Sequence, residues 1–224
     1  MCGRFTQHHE EDELVGRFDI SAVWFHPVPR YNMAPTQFIP AIIAQPDGRA
    51  LTAFRWGLVP YWAKDQKLAA RMINARAETV ADKAAYRTPL QRQRCLIPAD
   101  GWYEWQPTER GKQPYYFCRR DGGLFAFAGL WDEWRDPASP LSEPLRTCTI
   151  ITRAANATAA PIHDRMPVIL SPEHEASWLA PQKVNALELV SLLSPYPADE
   201  IETRPVSRLV NSPTTDSPEL IAGI

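Results

Sequence analysis

Cys2 stands directly after Met1, and a side chain that small lets the initiator methionine be trimmed. The new terminus would carry an α-amine with a pKa of about 8 beside a thiol of about 8.5. An amine and a β-thiol on one residue can both bond to a single aldehyde carbon. The amine forms an imine, and the thiol closes it into a five-membered thiazolidine. No internal cysteine can do this. The same amine can instead serve as the base for a nucleophile, as in N-terminal-nucleophile hydrolases. The plain alternative is a chance cysteine at an untidy terminus.

Three further positions carry side chains suited to proton transfer or positioning. Glu104 lies in DGWYEW, flanked by Trp102, Tyr103 and Trp105. Apolar neighbours raise a carboxyl pKa and make it a general acid usable near neutrality. In an alternating strand Trp102 and Glu104 share a face, although an exposed carboxylate between inward aromatics fits that periodicity slightly better. His163, in PIHDRMP, titrates near neutrality and is a natural proton shuttle, against the commoner structural histidine. In INARAE, Asn74, Arg76 and Glu78 alternate, so an amide and a cation can line one face of a strand, or simply form its polar side. Arg4, two residues from Cys2, can pair with a phosphate or merely solvate the terminus.

The surrounding composition narrows the class. The chain has 224 residues, 45% hydrophobic and 22% charged, with a net charge of −2; one α+β domain accommodates that length better than two. A net acidic chain is not a non-specific coat for duplex DNA, though a local basic groove remains compatible. The 22 prolines against 10 glycines predict stiff turns and strand edges, and eight tryptophans is a high count, some for the core and an exposed few suited to base stacking. Cys2, Cys95, Cys118 and Cys148 form no CxxC pair and no zinc spacing. His8, His9, Glu10 and Glu11 invite a metal reading, but a polar stretch ahead of a surface helix is far commoner, so no metal and no cofactor is expected. The N-terminus has no apolar signal region and no window is long enough to cross a bilayer. The expectation is a reduced, cytoplasmic monomer without a membrane partner, in which the Asn156-Ala157-Thr158 sequon has no use. Nucleotide-binding, nucleophile-elbow and zincin signatures are absent.

The elements that must position these residues are mostly strands. Residues 10–18 read as a short helix with acids at its start. FIPAIIAQ (38–45) and LTAFRWGLV (51–59) read as strands around the turn PDGR. Residues 60–91 mix a tryptophan-bearing loop with strand, turn and short helix. From residue 94 the β signal strengthens through RCLIP, GWYEWQ, PYYFCRR, LFAFAGLWDEW, LRTCTIITRAA and MPVILS, with PTERGKQ and RDGG as turns and 136–144 as a polar loop. Helices are expected at 171–179 and 184–194, a last strand at 202–210, and a C-terminal tail at 212–224. Strands that do not alternate, with helices between them, imply a closed or strongly bent mixed sheet. The fold class is therefore α+β: a single compact domain over 1–224 with a β-barrel-like core and a few short helices.

MCGRF, YNMAPTQ, WGLVPYW, INARAET, RCLIPADGWYEW, TRAA, HDRMPVIL and PVSRLVN occur in this order. In this the chain resembles the SOS-response-associated peptidase (SRAP) family, whose members shield abasic sites in single-stranded DNA through a DNA–protein cross-link. The resemblance spans Cys2 to about Asn211. It implies an abasic-site-processing enzyme with lyase-like imine chemistry and a peptidase-like loss of Met1, acting in the DNA damage response. It implies Cys2 as nucleophile, Asn74 positioning amine and sugar, Glu104 as acid and base during ring opening and closure, and His163 moving protons at the imine. Arg4, Arg76 and Arg165 become phosphate contacts, and Pro35 and Trp62 a wedge against the bases beside the lesion. A cysteine peptidase built on Cys2, His163 and Asn74, and a non-covalent binder of single strands or modified bases, are the competing readings.

Overall fold

The computed structural model describes residues 2–109, 111–181 and 185–224. Its centre is a closed barrel of five strands: β4 (Phe38–Gln45), β5 (Gly48–Trp56), β7 (Arg94–Ala99), β10 (Phe125–Trp134) and β11 (Leu145–Ala154). Antiparallel pairing runs β5–β4–β7–β10–β11, and a parallel contact of β11 with β5, Thr147 opposite Arg55 and Cys148 opposite Trp56, closes the ring. The mixed, barrel-like core expected from the sequence is therefore present.

Closure explains why these strands do not alternate between polar and apolar: both faces are covered. Ile39, Ala41, Ile43, Phe54, Trp56, Cys95, Ile97, Phe125, Phe127, Cys148 and Ile150 share one core. Their neighbours of opposite parity, Ile42, Leu51, Leu96, Ala126, Ala128, Leu130 and Ile151, form a second. That second core is capped by helices α1 (Glu11–Phe18), α2 (Ala84–Arg92), α3 (Pro172–Leu179) and α4 (Ala186–Ser191), through Leu14, Phe18, Leu90, Trp178, Leu179 and Leu189.

A second sheet carries the N-terminus. Strand β1 (Phe5–Gln7) lies between β3 (Arg30–Met33) and β8 (Gly101–Thr108), followed by β9 (Gly111–Arg119) and β14 (Ile201–Pro205). Phe5 pairs with Trp102 on one side and Met33 on the other, and its ring packs edge-on to Trp56 and Phe127 of the barrel. A terminal strand held in the interior of a sheet has little freedom, and that fixes where residues 2–4 lie. Smaller elements complete the sheets: β2 (Ile20–Val23) on β5, β6 (Asn74–Arg76) parallel to β11, and β12 (Arg165–Pro167) and β13 (Ile169–Leu170) on β11 and β10.

Several boundaries differ from the sequence reading. The strand expected at 51–59 runs from Gly48 to Trp56 because a two-residue turn pairs Gln45 directly with Gly48, and Gly57, at φ +122°, ends it. The β8–β9 ladder extends to Thr108 opposite Gly111, so much of the expected turn 107–113 is strand; Arg110 lies outside the described residues. MPVILS is two short strands, β12 and β13, with Val168 between them. The last strand stops at Pro205, and Ser207 caps a 3₁₀ turn over Arg208–Asn211 by accepting from the Leu209 N–H. The second C-terminal helix is α4, shorter than 184–194, with Val184 outside the described residues. Residues 212–224 are not a loose tail: Leu220 is fully buried, Asp216 holds Arg30 and the Tyr31 N–H, and Val206 bridges to Gly223.

Candidate functional site

The pairing of β1 with β8 does not stop at Phe5. The Tyr103 N–H donates to the Arg4 carbonyl at 3.0 Å, which carries the two backbones side by side toward Cys2 and Glu104. In the chain that retains Met1, Cys2 is fully buried among Phe5, Trp102 and the barrel core, with its Sγ 4.0 Å from the Arg4 carbonyl. Burial pushes its thiol pKa up, and the Glu104 charge pushes the same way. From the other side Asn74, at the start of β6, donates its Nδ2 to the Cys2 carbonyl at 2.7 Å. Its Oδ1 is buried with no hydrogen-bond partner among the described residues.

Glu104 is only 2% exposed, which removes the reading of a solvated strand residue. Both faces of β8 are covered, Trp102 lying in the barrel-side core and Tyr103 in a cluster with Tyr116, Val206, Val210 and Leu220. Desolvation raises the Glu104 carboxyl to about 7. His163 faces it, Nε2 standing 3.9 Å from Oε2. His163 Nδ1 lies 2.9 Å from the Arg165 backbone N–H and 3.0 Å from Asp164 Oδ1, and Nε2 is on the Glu104 side. Burial lowers the His163 pKa.

Two clefts open beside this group. One, of 470 Å³, is lined by Glu104, Trp105, Lys112, His163 and Asn211. The other, of 510 Å³, is lined by Trp62, Asn74, Arg76, Lys83 and Tyr86, among others. Glu104 lines the first and Asn74, which is hydrogen-bonded to the Cys2 carbonyl, lines the second. Trp62 is half exposed at the rim of the second cleft, beside an exposed Tyr61. Pro35 follows Met33, the partner of Phe5, so it falls at the Cys2 end of the sheet, half buried.

The three arginines expected to meet phosphate differ. Arg76 is exposed and its side chain has no partner among the described residues. Arg4 is turned inward: its guanidinium donates to Asn32 Oδ1 at 3.0 Å, the Val210 carbonyl at 2.7 Å and the Asn211 carbonyl at 3.3 Å. Arg165 grips Glu78 through two bonds of 2.7 and 2.9 Å and the Thr152 carbonyl at 2.7 Å, which holds the Glu78 carboxyl down at about 2. The sequence reading passed over Trp105, Lys83, Tyr86 and Lys112. Trp105 was within sight, in the aromatic run around Glu104. Lys83 and Tyr86 look like ordinary helix residues, and nothing local distinguishes Lys112.

Comparison with known proteins gives a consistent picture. Residues 1–213 match the family model described as SOS response associated peptidase (SRAP). The chain is 47% identical over 226 residues to the abasic site processing protein YoqW of Bacillus subtilis (strain 168), covering 99% of both. It is 36% identical over 227 residues to the abasic site processing protein HMCES of Gallus gallus, covering 88% of this chain and 66% of that one. A crystal structure of a Bacteroides thetaiotaomicron protein superposes with a TM-score of 0.87 at 26% identity, covering all of both chains.

Proposed function

The chain belongs to the SOS response associated peptidase (SRAP) family, and from that membership we propose that it processes abasic sites in single-stranded DNA by a thiazolidine cross-link through Cys2. The observation that carries the chemistry is the placement of Cys2. Asn74 holds its carbonyl, and a buried carboxyl with a pKa of about 7 stands beside it.

An abasic sugar is mostly a closed hemiacetal, so it must open before an amine can attack. Opening needs a proton delivered to the ring oxygen and one removed from the C1′ hydroxyl. Glu104, near half protonated at neutral pH, can do either. Loss of Met1 frees the Cys2 amine, which adds to the C1′ aldehyde to give a carbinolamine. That species loses water to form the imine, with His163 Nε2 and Glu104 in position to move the protons. The thiol then adds across the C=N bond: sulfur bonds to C1′ and its proton ends on nitrogen. The net reaction releases one water. An abasic position leaves a gap in the strand, so the terminus can enter without flipping a base. Trp62 and Pro35 would stack on the bases to either side, and Arg76, Lys83 and Lys112 would meet the backbone.

The peptidase reading needs only the thiol, whereas the cross-link also needs the freed Cys2 amine, so a blocked amine separates the two. Intact mass spectrometry of the protein incubated with an abasic single-stranded oligonucleotide tests the proposal. The expected product is the Met1-free chain plus the oligonucleotide minus one water, stable to denaturation without reductant. Full retention of Met1 in reactive protein would sink the mechanism.

A further inference from the structure

At the far end of β1 from Cys2, the chain gathers three groups that no step above uses. Asp100, at the bend between β7 and β8, is 2% exposed. His8 Nδ1 stands 2.9 Å from its Oδ1, and one donor atom each from His8, His9 and Asp100 lie within 4.8 Å of one another. We propose that His8, His9 and Asp100 form a binding site for a divalent transition-metal ion of the zinc type, clamping the exit of β1 to the β7–β8 bend.

Two imidazoles and a carboxylate suit such ions, which hold nitrogen and carboxylate oxygen at about 2.0–2.2 Å and accept three protein ligands with a fourth position open. Donors sharing one tetrahedral ion lie roughly 3.4 Å apart at those bond lengths, so the His8–Asp100 pair, at 2.9 Å, need only open by about half an ångström. His9 need only close in, and as a partly exposed side chain it can. The groups behind the donors are arranged as they are around metal ligands. His9 Nδ1 is bonded to Glu13 Oε1 at 3.0 Å, which leaves Nε2 as the free donor, and that atom is buried with no hydrogen-bond partner among the described residues. A carboxylate behind a ligating histidine fixes its tautomer and raises its basicity. Asp100 is oriented in turn by the Thr6 hydroxyl, the Tyr116 hydroxyl and the His8 N–H, the last at 2.6 Å. Tyr31 stacks on the His8 ring at 5.0 Å and holds its plane. The sequence alone offered only adjacent histidines beside acids. The third ligand comes from 92 residues away.

Cobalt(II) titration of the mature protein, followed by visible absorption, tests the site. Expected is uptake of one equivalent with d–d bands of a nitrogen–oxygen site and no thiolate charge-transfer band. Affinity should fall at least about tenfold in both His9→Gln and Glu13→Gln, in keeping with the loss of a ligand or its supporting carboxylate, and should be unchanged in Cys2→Ala. Glu13 is exposed and His9 partly so, and glutamine at 13 can still accept from the Glu10 N–H, so these variants are expected to keep the fold, which circular dichroism checks. No saturable uptake, uptake abolished by Cys2→Ala, or uptake indifferent to His9→Gln overturns the assignment.

Discussion

Cys2 contributes two nucleophiles, and separating them distinguishes a thiazolidine from a plain imine. Cys2→Ser keeps the amine but replaces sulfur with a much poorer nucleophile at neutral pH. We expect little denaturation-resistant adduct from it unless borohydride is added, and wild-type adduct without any reductant. A serine variant that cross-links as stably as wild type without reduction refutes the ring. Glu104 makes a second case at the same scale. Its carboxyl lies at about 7 in the folded chain, above its ordinary value of about 4.3 when unfolded. Between those values the folded chain holds a proton that the unfolded chain has released. Its contribution to stability therefore falls as pH rises through that window. Glu104→Gln should remove this fall, so denaturant titrations should show the variant gaining on wild type from about pH 4.5 to 7 and holding level above. The same change should slow cross-linking by about a hundredfold or more, as loss of a general acid–base does, while DNA binding is kept. A variant that reacts at the wild-type rate removes Glu104 from the mechanism.

Strand β1 matters because the site is an appendage of its pairing with β8. Gly101 pairs with Thr6 of β1 and with Cys118 of β9, and a Cβ there would overlap the Tyr116 ring. Tyr116 is fully enclosed and cannot yield. Gly101→Ala should cost about 1–3 kcal/mol, as overpacking does, and lower Tm. It should also slow cross-linking beyond any loss of folded protein, because the shift is relayed through Thr6 to the terminus. A variant destabilised but chemically unaffected would show that β1 does not set the position of Cys2.

Over the whole molecule, charge sets how the proposed DNA strand would be held. The chain is net acidic, so only a few phosphates can be neutralised, and binding to single strands should depend shallowly on salt. Each lost phosphate contact removes roughly 0.7 from the slope of log affinity against log salt. Arg76→Ala and Lys112→Ala should each do so with little change in Tm. Arg4→Ala should behave oppositely, lowering Tm through three lost internal bonds and leaving the salt slope nearly unchanged. If Arg4→Ala flattened the slope at unchanged stability, the guanidinium would be facing phosphate after all.

The sequence by itself determined the family and the barrel-like α+β class, and it suggested the chemistry proposed above. An aminothiol needs nothing but Cys2 at a freed terminus, and the motifs around Asn74, Glu104 and His163 are legible because their residue types are chemical. The long strand runs were legible as well, since β-branched and aromatic residues mark them whichever face they cover; the short strands β1, β2 and β3 were not, and β3 lies in a proline-punctuated stretch that reads as loop. The tertiary structure alone decided what depends on contacts distant in sequence. Closure through β5 and β11 is a pairing across 92 positions, invisible to local periodicity. Burial of Glu104 follows from cover on both faces of β8, where alternation had slightly favoured exposure. Arg4 and Arg76 are the same residue type near the same site, yet one is spent on the backbone of residues 210–211 and the other faces the cleft. Nothing local separates them, because the carbonyls that claim Arg4 come from the far end of the chain.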